Sequence, residues 1–194
     1  MIYLANRRRK EDSIKKEFPN VVILDLTSKS PYRSGMIFSP FFPHGNIPIP
    51  FTLGETATSV EAIWQGLKVF ENADVDISLF NNVNMKGLKR TSRKYGRVLG
   101  HRKGLYSDTL LNYYDARVLI YLPTYKWVLE NVIEVHETLI RIKDYVQTHD
   151  LVLLDYNVNV NINDISTPLS HAGLVKLYLE GRYPEEQTTK SILI

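Results

Sequence analysis

The stretch FSPFFPHGNIPIPFTLGETATSVEAIWQGLKVF, residues 38–70, decides how this chain folds. Its first part is rich in proline and glycine, which exclude regular helix and favour turns. The phenylalanines of this part predict that the loop packs against the domain and forms a wall. Because long ordered loops are usually functional, we expect residues 38–55 to border a small-molecule site.

A helix is predicted to follow the loop. Thr58 and Glu61 have the spacing of a capping box, with Thr58 as the N-cap and Glu61 as the third helical residue. The apolar residues of the helix fall on one arc and form its core face: Val60, Ile63, Leu67 and Phe70. Glu61, Gln65 and Lys68 form a narrow stripe on the far side, with Trp64 at its edge. A solvated face explains these charges, whereas the indole and the loop favour a buried site, and both interpretations stay open.

Short strands and helices alternate along the rest of the chain. Residues 2–5 and 21–26 are predicted strands, and a polar helix between them completes a strand–helix–strand unit. A third strand is predicted at 151–160 and a last helix at 173–181. At 194 residues the chain is long enough for one domain with a substantial core, and residues 185–194 are predicted to be a tail.

Composition excludes several classes of protein. There is no cysteine, so disulfides, Cys-ligated metals and a cysteine nucleophile are excluded. No apolar run approaches the roughly 18 residues of a membrane span, so we expect no membrane partner and a cytoplasmic location. No glycine-rich fingerprint follows the first strand, and the five histidines lack metal-ligand spacing, so neither a cofactor nor a metal is expected.

The segment 86–103 is strongly basic, with eight lysines and arginines and no acid. We expect it to begin as a helix that its glycines interrupt. Backbone N–H groups near Gly96, beside Arg93, Lys94 and Arg97, would suit a phosphate group. A nucleic-acid backbone would be served equally well, and a solvated positive face is the third possibility.

Two titratable residues stand out in the C-terminal third. Asp155 follows four apolar residues at the end of a predicted strand, where a carboxylate needs partners. His171 lies in the loop that follows, a position where functional groups are often displayed. A purely structural role is the alternative for both.

In their order and spacing, FSPFFP, TSVEAIWQGLKVF and KYGRVLG resemble the NADAR (YbiA-like) family. The resemblance covers about residues 37–103 and is weaker over 125–181. It implies a single helix-rich α+β domain over residues 1–194 with a few short strands, to which residues 1–30 would be an N-terminal extension. Members are N-glycosidases that remove ADP-ribose from guanine in nucleic acid or cleave phosphorylated riboflavin-pathway intermediates.

Carried over to this chain, the resemblance implies that the Lys68 amine attacks the anomeric carbon and forms a Schiff base. Glu61 would transfer protons, with Asp155 as a third catalytic group that closes the pocket together with His171. The implied substrate-binding residues are Phe38, Ser39, Trp64, Gln65, His171 and the phosphate-binding group Arg93, Lys94, Gly96 and Arg97. The expected substrate is a nucleotide or an ADP-ribosylated nucleic acid. A non-catalytic sensor of ADP-ribose or an NAD-type nucleotide, and a nucleic-acid-binding protein using residues 86–103, are the alternatives.

Overall fold

The computed structural model describes residues 1–184, so the predicted tail at 185–194 lies outside the described residues. In chain order the elements are β1 (Ile2–Asn6), α1 (Glu11–Glu17), β2 (Val22–Asp25), α2 (Arg33–Met36), β3 (Ile47–Pro48), β4 (Thr56–Ala57), α3 (Val60–Gly66), β5 (Lys68–Phe70), a 3₁₀ helix (Ile77–Asn81), α4 (Ser92–Tyr95), β6 (Val98–Arg102), β7 (Leu110–Leu111), α5 (Tyr113–Ala116), a π-helical turn (Arg117–Tyr121), α6 (Leu122–Asn131), α7 (Ile133–Tyr145), β8 (Leu151–Asp155) and α8 (His171–Leu179). The predicted single, helix-rich α+β domain is confirmed.

A parallel three-stranded sheet forms the centre of the fold, with β8 between β1 and β2. The run Leu151–Leu153 is buried because β8 has a neighbour on each side and is covered on both faces. The predicted strand–helix–strand unit forms, but it supplies two of the three strands of this sheet. Residues 1–30 therefore form part of the central sheet, because within residues 1–184 both partner strands of β8 come from them.

Helix α3 begins one residue later than the capping-box prediction. Ser59 is the N-cap, since its Oγ accepts a hydrogen bond from the N–H of Ala62 (3.1 Å). Thr58 instead donates its hydroxyl to the carbonyl of Asn82 (2.6 Å). The shift leaves the side chain of Glu61 without a capping role, so its burial inside the domain has no local explanation.

The same helix ends at Gly66, earlier than the apolar pattern predicts. A Cβ at Gly66 would lie 2.3 Å from a ring carbon of Phe80, so only glycine allows this close packing. The chain then turns into β5, which pairs with β6 so that Lys68 lies opposite His101. Lys68 is thus a strand residue, and its approach to Gln65 results from the turn after α3.

The helical segment after β7 continues through Pro123. In the π-helical turn the N–H of Leu122 bonds to the carbonyl of Arg117, five residues back. Proline, which has no N–H, follows at the point where the hydrogen-bonding pattern changes.

Of the helices in residues 1–184, none is both long and apolar enough to cross a bilayer.

Two more boundaries differ from the predictions. Strand β8 stops at Asp155, because the following residues form a loop with asparagine-capped turns. Helix α8 begins at His171, two residues before the predicted start, because Ser170 caps it by accepting from the N–H of Gly173 (3.0 Å). Both shifts place Asp155 and His171 at element ends that face each other.

Candidate active site

A cavity of about 420 Å³ opens at the carboxyl end of the parallel sheet. Its walls come from the loops after β2 and β8, the residues before α3, the helix α3 itself and the π-helical turn. Seven of the predicted site residues line this cavity: Ser39, Glu61, Trp64, Gln65, Lys68, Asp155 and His171. Residues that lie about a hundred positions apart in sequence therefore meet at one site.

Gln65 joins the two residues predicted to carry the chemistry. Its Nε2 donates to Glu61 Oε1 (2.8 Å), and its Oε1 accepts from Lys68 Nζ (3.2 Å). The backbone N–H of Arg90 also donates to Gln65 Oε1 (3.2 Å). This second donor fixes the orientation of the amide, because a flipped Gln65 would turn its NH₂ group toward two donors.

Burial moves both ionisable groups of this relay toward neutrality. Burial raises the pKa of Glu61, although the Gln65 hydrogen bond and the charge of Lys68 oppose the shift. Burial likewise lowers the pKa of Lys68; the charge of Glu61 opposes this effect, and the charges of Arg90 and Lys89 add to it. Both pKa values therefore move toward physiological pH, which favours the neutral carboxyl and the neutral amine and is typical of acid–base sites.

Trp64 forms a rigid aromatic wall beside Lys68. The imidazole of His101 packs against the indole with ring centroids 3.9 Å apart, and Tyr113 and Tyr121 contact it edge-on at 5.8 and 5.7 Å. Burial and the charge of Lys68 lower the pKa of His101 to about 3, so this imidazole is neutral. Lys68 Nζ lies 5.8 Å from the Trp64 ring centroid, and the wall can accept a flat ring beside this nitrogen.

Asp155 and His171 form a buried ion pair at the base of the cavity. His171 Nδ1 lies 2.9 Å from Asp155 Oδ2, and Nε2 lies 2.9 Å from the carbonyl oxygen of Leu26. Ser170 Oγ and the N–H of Tyr156 also donate to the Asp155 carboxylate. Burial opposes both charges, but the mutual attraction and these hydrogen bonds outweigh it, so the pKa of His171 is raised and that of Asp155 is lowered.

This pair has a predictable effect on stability. The raised pKa of His171 stabilises the fold fully below pH 6.5, the ordinary pKa of histidine, and this contribution is lost as pH rises through the pKa of the folded state. The lowered pKa of Asp155 stabilises the fold fully above pH 3.8, the ordinary pKa of aspartate, and this contribution is lost as pH falls through the pKa of the folded state. Asp155→Asn should therefore lower the free energy of unfolding by about 3 kcal/mol, and the loss should be largest between pH 3.8 and pH 6.5, where both contributions are present. Urea unfolding across pH measures it, with exposed Asp12→Asn as control. An Asp155→Asn cost that does not vary with pH would contradict the ion pair.

Arg90 holds this part of the site together, and sequence patterns gave no sign of it beyond its place in a basic run. Its guanidinium donates to the carbonyl oxygens of Gln65 (3.2 Å), Lys68 (2.5 Å) and Asp74 (2.6 Å). Phe70 and Tyr95 pack on it at 4.9 and 5.1 Å. Because the bonds reach both ends of the turn that carries Lys68, Arg90 fixes the position of that lysine.

Replacing Arg90 with lysine tests this role. Lysine keeps the charge but cannot reach three carbonyls in a planar fork, so buried acceptors lose their donors. We expect a loss of about 2–3 kcal/mol in unfolding free energy. Chemical denaturation measures the loss, and Arg93→Lys, at an exposed position, should change stability by less than about 0.5 kcal/mol. Equal stability of the two variants would show that the fork is unimportant.

The predicted phosphate-binding group lies elsewhere. Arg93, Lys94, Gly96 and Arg97 do not line the cavity. Arg97 pairs with Glu71, and a Cβ on Gly96 would lie 2.9 Å from Glu71 Oε2, so the backbone there faces a carboxylate. The antiparallel pairing of β5 with β6 carries this segment away from the site. The structure therefore does not bring these four residues to the cavity.

Phe38, a predicted substrate-binding residue, lies in the core and does not line the cavity. Its side chain is 1% exposed. Its carbonyl oxygen accepts from the Tyr125 hydroxyl (2.7 Å), and its N–H donates to the carbonyl oxygen of Gly35 (3.1 Å). Its neighbour Ser39 does line the cavity. The one-residue difference follows from the turn after α2, which buries the ring of Phe38 and turns Ser39 toward the site.

Two other cations line the cavity instead. Lys89 is exposed at the mouth, 5.5 Å from the Phe41 ring. Arg117 is 2% exposed and donates to the carbonyl oxygens of Ile162, Asp164 and Thr167, so it fastens the loop after β8 across the cavity. An arginine inside the apolar run 116–122 was the available signal, because a buried guanidinium requires such partners.

Nothing in residues 1–184 brings together three or more side chains able to hold a metal ion. The donors at the cavity are a carboxyl, an amide, an amine and an imidazolium–carboxylate pair. This set suits proton transfer and nucleophilic attack on a polar ligand.

Comparison with known proteins gives one family. A family model described as "Family of unknown function (DUF6939)" matches residues 6–175. The matched range contains every residue of the cavity, from Thr27 to His171. A search of curated proteins found no match.

Proposed function

Because the chain belongs to DUF6939, a family of unknown function, we propose its activity from the chemistry of the cavity: it is an N-glycosidase that cleaves an N-ribosidic bond through a Lys68 Schiff base. The substrate class is an ADP-ribosylated base or a related ribosyl-phosphate nucleotide. A cytoplasmic location, expected because no apolar run approaches the length of a membrane span, stays a prediction.

The observation that carries the proposal is the Glu61–Gln65–Lys68 relay. An amine with a lowered pKa stands beside a carboxyl with a raised pKa, and one oriented amide holds both. Covalent catalysis by lysine needs a neutral amine, and departure of a base needs a proton donor. The arrangement supplies both within hydrogen-bonding distance of one side chain.

The steps balance as follows. Neutral Lys68 Nζ forms a bond to the anomeric carbon while the bond from that carbon to the base nitrogen breaks, and Glu61 gives its proton to the leaving nitrogen. Glu61 then takes a proton from Nζ and passes it to the ring oxygen as the ring opens to a protonated imine. Water adds to the imine carbon, Glu61 moves the remaining protons, and the carbon–Nζ bond breaks to release the sugar aldehyde and regenerate both residues.

The other cavity residues support the same substrate class. The Trp64 wall suits the flat face of a base. Lys89, exposed at the mouth, suits a phosphate group. The buried Asp155–His171 pair fixes the base of the cavity, so we assign Asp155 a positioning role in place of the catalytic role first predicted.

The experiment is a turnover assay run beside calorimetry with ADP-ribose. ADP-ribosylated guanosine and N-ribosyl phosphate conjugates are incubated with the protein, and the released base is separated by chromatography. Release of base supports the glycosidase. Binding of ADP-ribose without release from any conjugate would favour the sensor, whereas salt-dependent binding of DNA or RNA without ADP-ribose binding would favour the nucleic-acid-binding protein.

A further inference from the structure

The three arginines after β1, Arg7 to Arg9, take no part in the site described above. They follow a strand whose carboxyl end lies at the same sheet edge as the cavity. Tyr156, the first residue after β8, lines the cavity and is 43% exposed. Ligands of parallel sheets bind outside this edge. The arginine turn and Tyr156 therefore stand where a ligand leaving the cavity would pass.

Asn6 holds this turn against Tyr156. Its Oδ1 accepts from the N–H of Arg8 (2.9 Å), and its Nδ2 donates to the carbonyl oxygen of Tyr156 (2.8 Å). The N–H of Arg9 closes the turn by donating to the carbonyl of Asn6 (2.9 Å). The same side chain thus fixes the arginine turn and the rim of the cavity relative to each other.

The three arginines differ in what they contact. Arg7 pairs with Asp25 (2.7 Å) and donates to the carbonyl of Lys29 (3.2 Å), and Arg9 pairs with Glu17 (2.5 Å). Arg8 is exposed, and within residues 1–184 no carboxylate lies at ion-pair distance from it. Its guanidinium carbon lies 5.9 Å from the Tyr156 ring centroid, and that of Arg7 lies 5.6 Å from it.

We propose that Arg8, with Tyr156, forms a second phosphate subsite at the mouth of the cavity. It takes a phosphate beyond the one that Lys89 would hold, so the ligand carries at least two phosphate groups. The subsite rests on the proposed function for the ligand inside the cavity. An arginine with free donors beside an exposed ring binds phosphate and stacks on the attached group, whereas its neighbours are occupied by carboxylates.

Calorimetry of Arg8→Ala tests the subsite with two probes, ribose 5-phosphate and ADP-ribose, which have one and two phosphates. We expect Arg8→Ala to weaken ADP-ribose binding about fivefold at low salt and to leave ribose 5-phosphate unchanged. The difference should shrink in high salt, since Arg8 is exposed. Lys10→Ala, which removes the same charge from an exposed position two residues away, should change neither affinity by more than about 1.5-fold.

The outcomes separate this subsite from the glycosidase. If Arg8→Ala changes neither affinity, or weakens both equally, the subsite is wrong and the glycosidase stands. If Arg8→Ala weakens ADP-ribose binding both alone and when combined with Lys68→Ala, but the wild type cleaves no conjugate, the subsite stands and the glycosidase is wrong. If neither probe binds the wild type, both are wrong. A short single-stranded DNA is the third probe and distinguishes the source of the phosphate. If Arg8→Ala weakens binding of the DNA and not of ADP-ribose, the phosphate at the subsite belongs to a nucleic-acid chain.

Discussion

Replacing Lys68 with alanine is expected to abolish cleavage of the N-ribosidic bond, with a fall in kcat of at least about 10⁴-fold, the size of effect seen when a nucleophile is removed. Among the described residues that line the cavity, no other cation takes its place: Lys89 is exposed at the mouth, and the donors of Arg117 are occupied by the carbonyls of the loop after β8. ADP-ribose binding should remain, because the Trp64 wall and the remaining cations are unchanged. Steady-state kinetics and calorimetry measure the two effects.

Lys68→Met removes the amine but keeps most of the side-chain volume, so a loss of activity in both variants cannot result from a cavity left by alanine. Lys94→Ala is the matched control, since Lys94 is an exposed lysine that lies outside the cavity. We expect it to retain full activity. Turnover by Lys68→Ala at the wild-type rate would exclude the covalent mechanism.

Glu61→Gln is expected to lower kcat about 100-fold and to change the shape of the pH profile. The reaction needs Lys68 without its proton and Glu61 with its proton, so the rate rises with pH as Lys68 becomes neutral and falls as Glu61 ionises. Burial raises the pKa of Glu61 and lowers that of Lys68, which widens the overlap of the two required states. Glutamine cannot lose a proton, so the alkaline fall in rate should disappear in the variant.

The pH dependence of kcat between pH 4 and 10 measures this change. Glu71→Gln is the control, because Glu71 is exposed, pairs with Arg97 and lies outside the cavity. It should keep both limbs of the profile. An alkaline limb that persists unchanged in Glu61→Gln would assign the proton donor to another group.

The fold class was predictable because the local sequence patterns indicate the same strands and helices that the structure contains. The β-branched runs form β1, β2 and β8, and the apolar arc of residues 60–67 faces the core as a helix. The pairing order was not predictable, because β8 inserts between strands more than a hundred residues earlier. The helix end at Gly66 also depends on a distant side chain, Phe80.

In the candidate site, the residues near Lys68 were predictable and those from distant elements were not. Glu61, Gln65 and Lys68 were grouped from their spacing, and they do meet, although Lys68 does so from a strand. The capping-box prediction was wrong because Ser59 caps the helix instead of Thr58. Residues 93–97 lie away from the cavity, where Arg97 pairs with Glu71. Arg117 could be noticed only as a charge in an apolar run, and its carbonyl partners lie some 45 residues away.

Trapping of the covalent intermediate tests the central claim most directly. The protein is incubated with an N-ribosyl conjugate in the presence of sodium borohydride, which reduces an imine to a stable secondary amine, and the modified residue is located by peptide mass spectrometry. The account predicts one sugar adduct, on Lys68, that is absent from Lys68→Ala and present in Lys94→Ala. Cleavage of the conjugate with no adduct on any lysine, or with an adduct at a different residue, would contradict it.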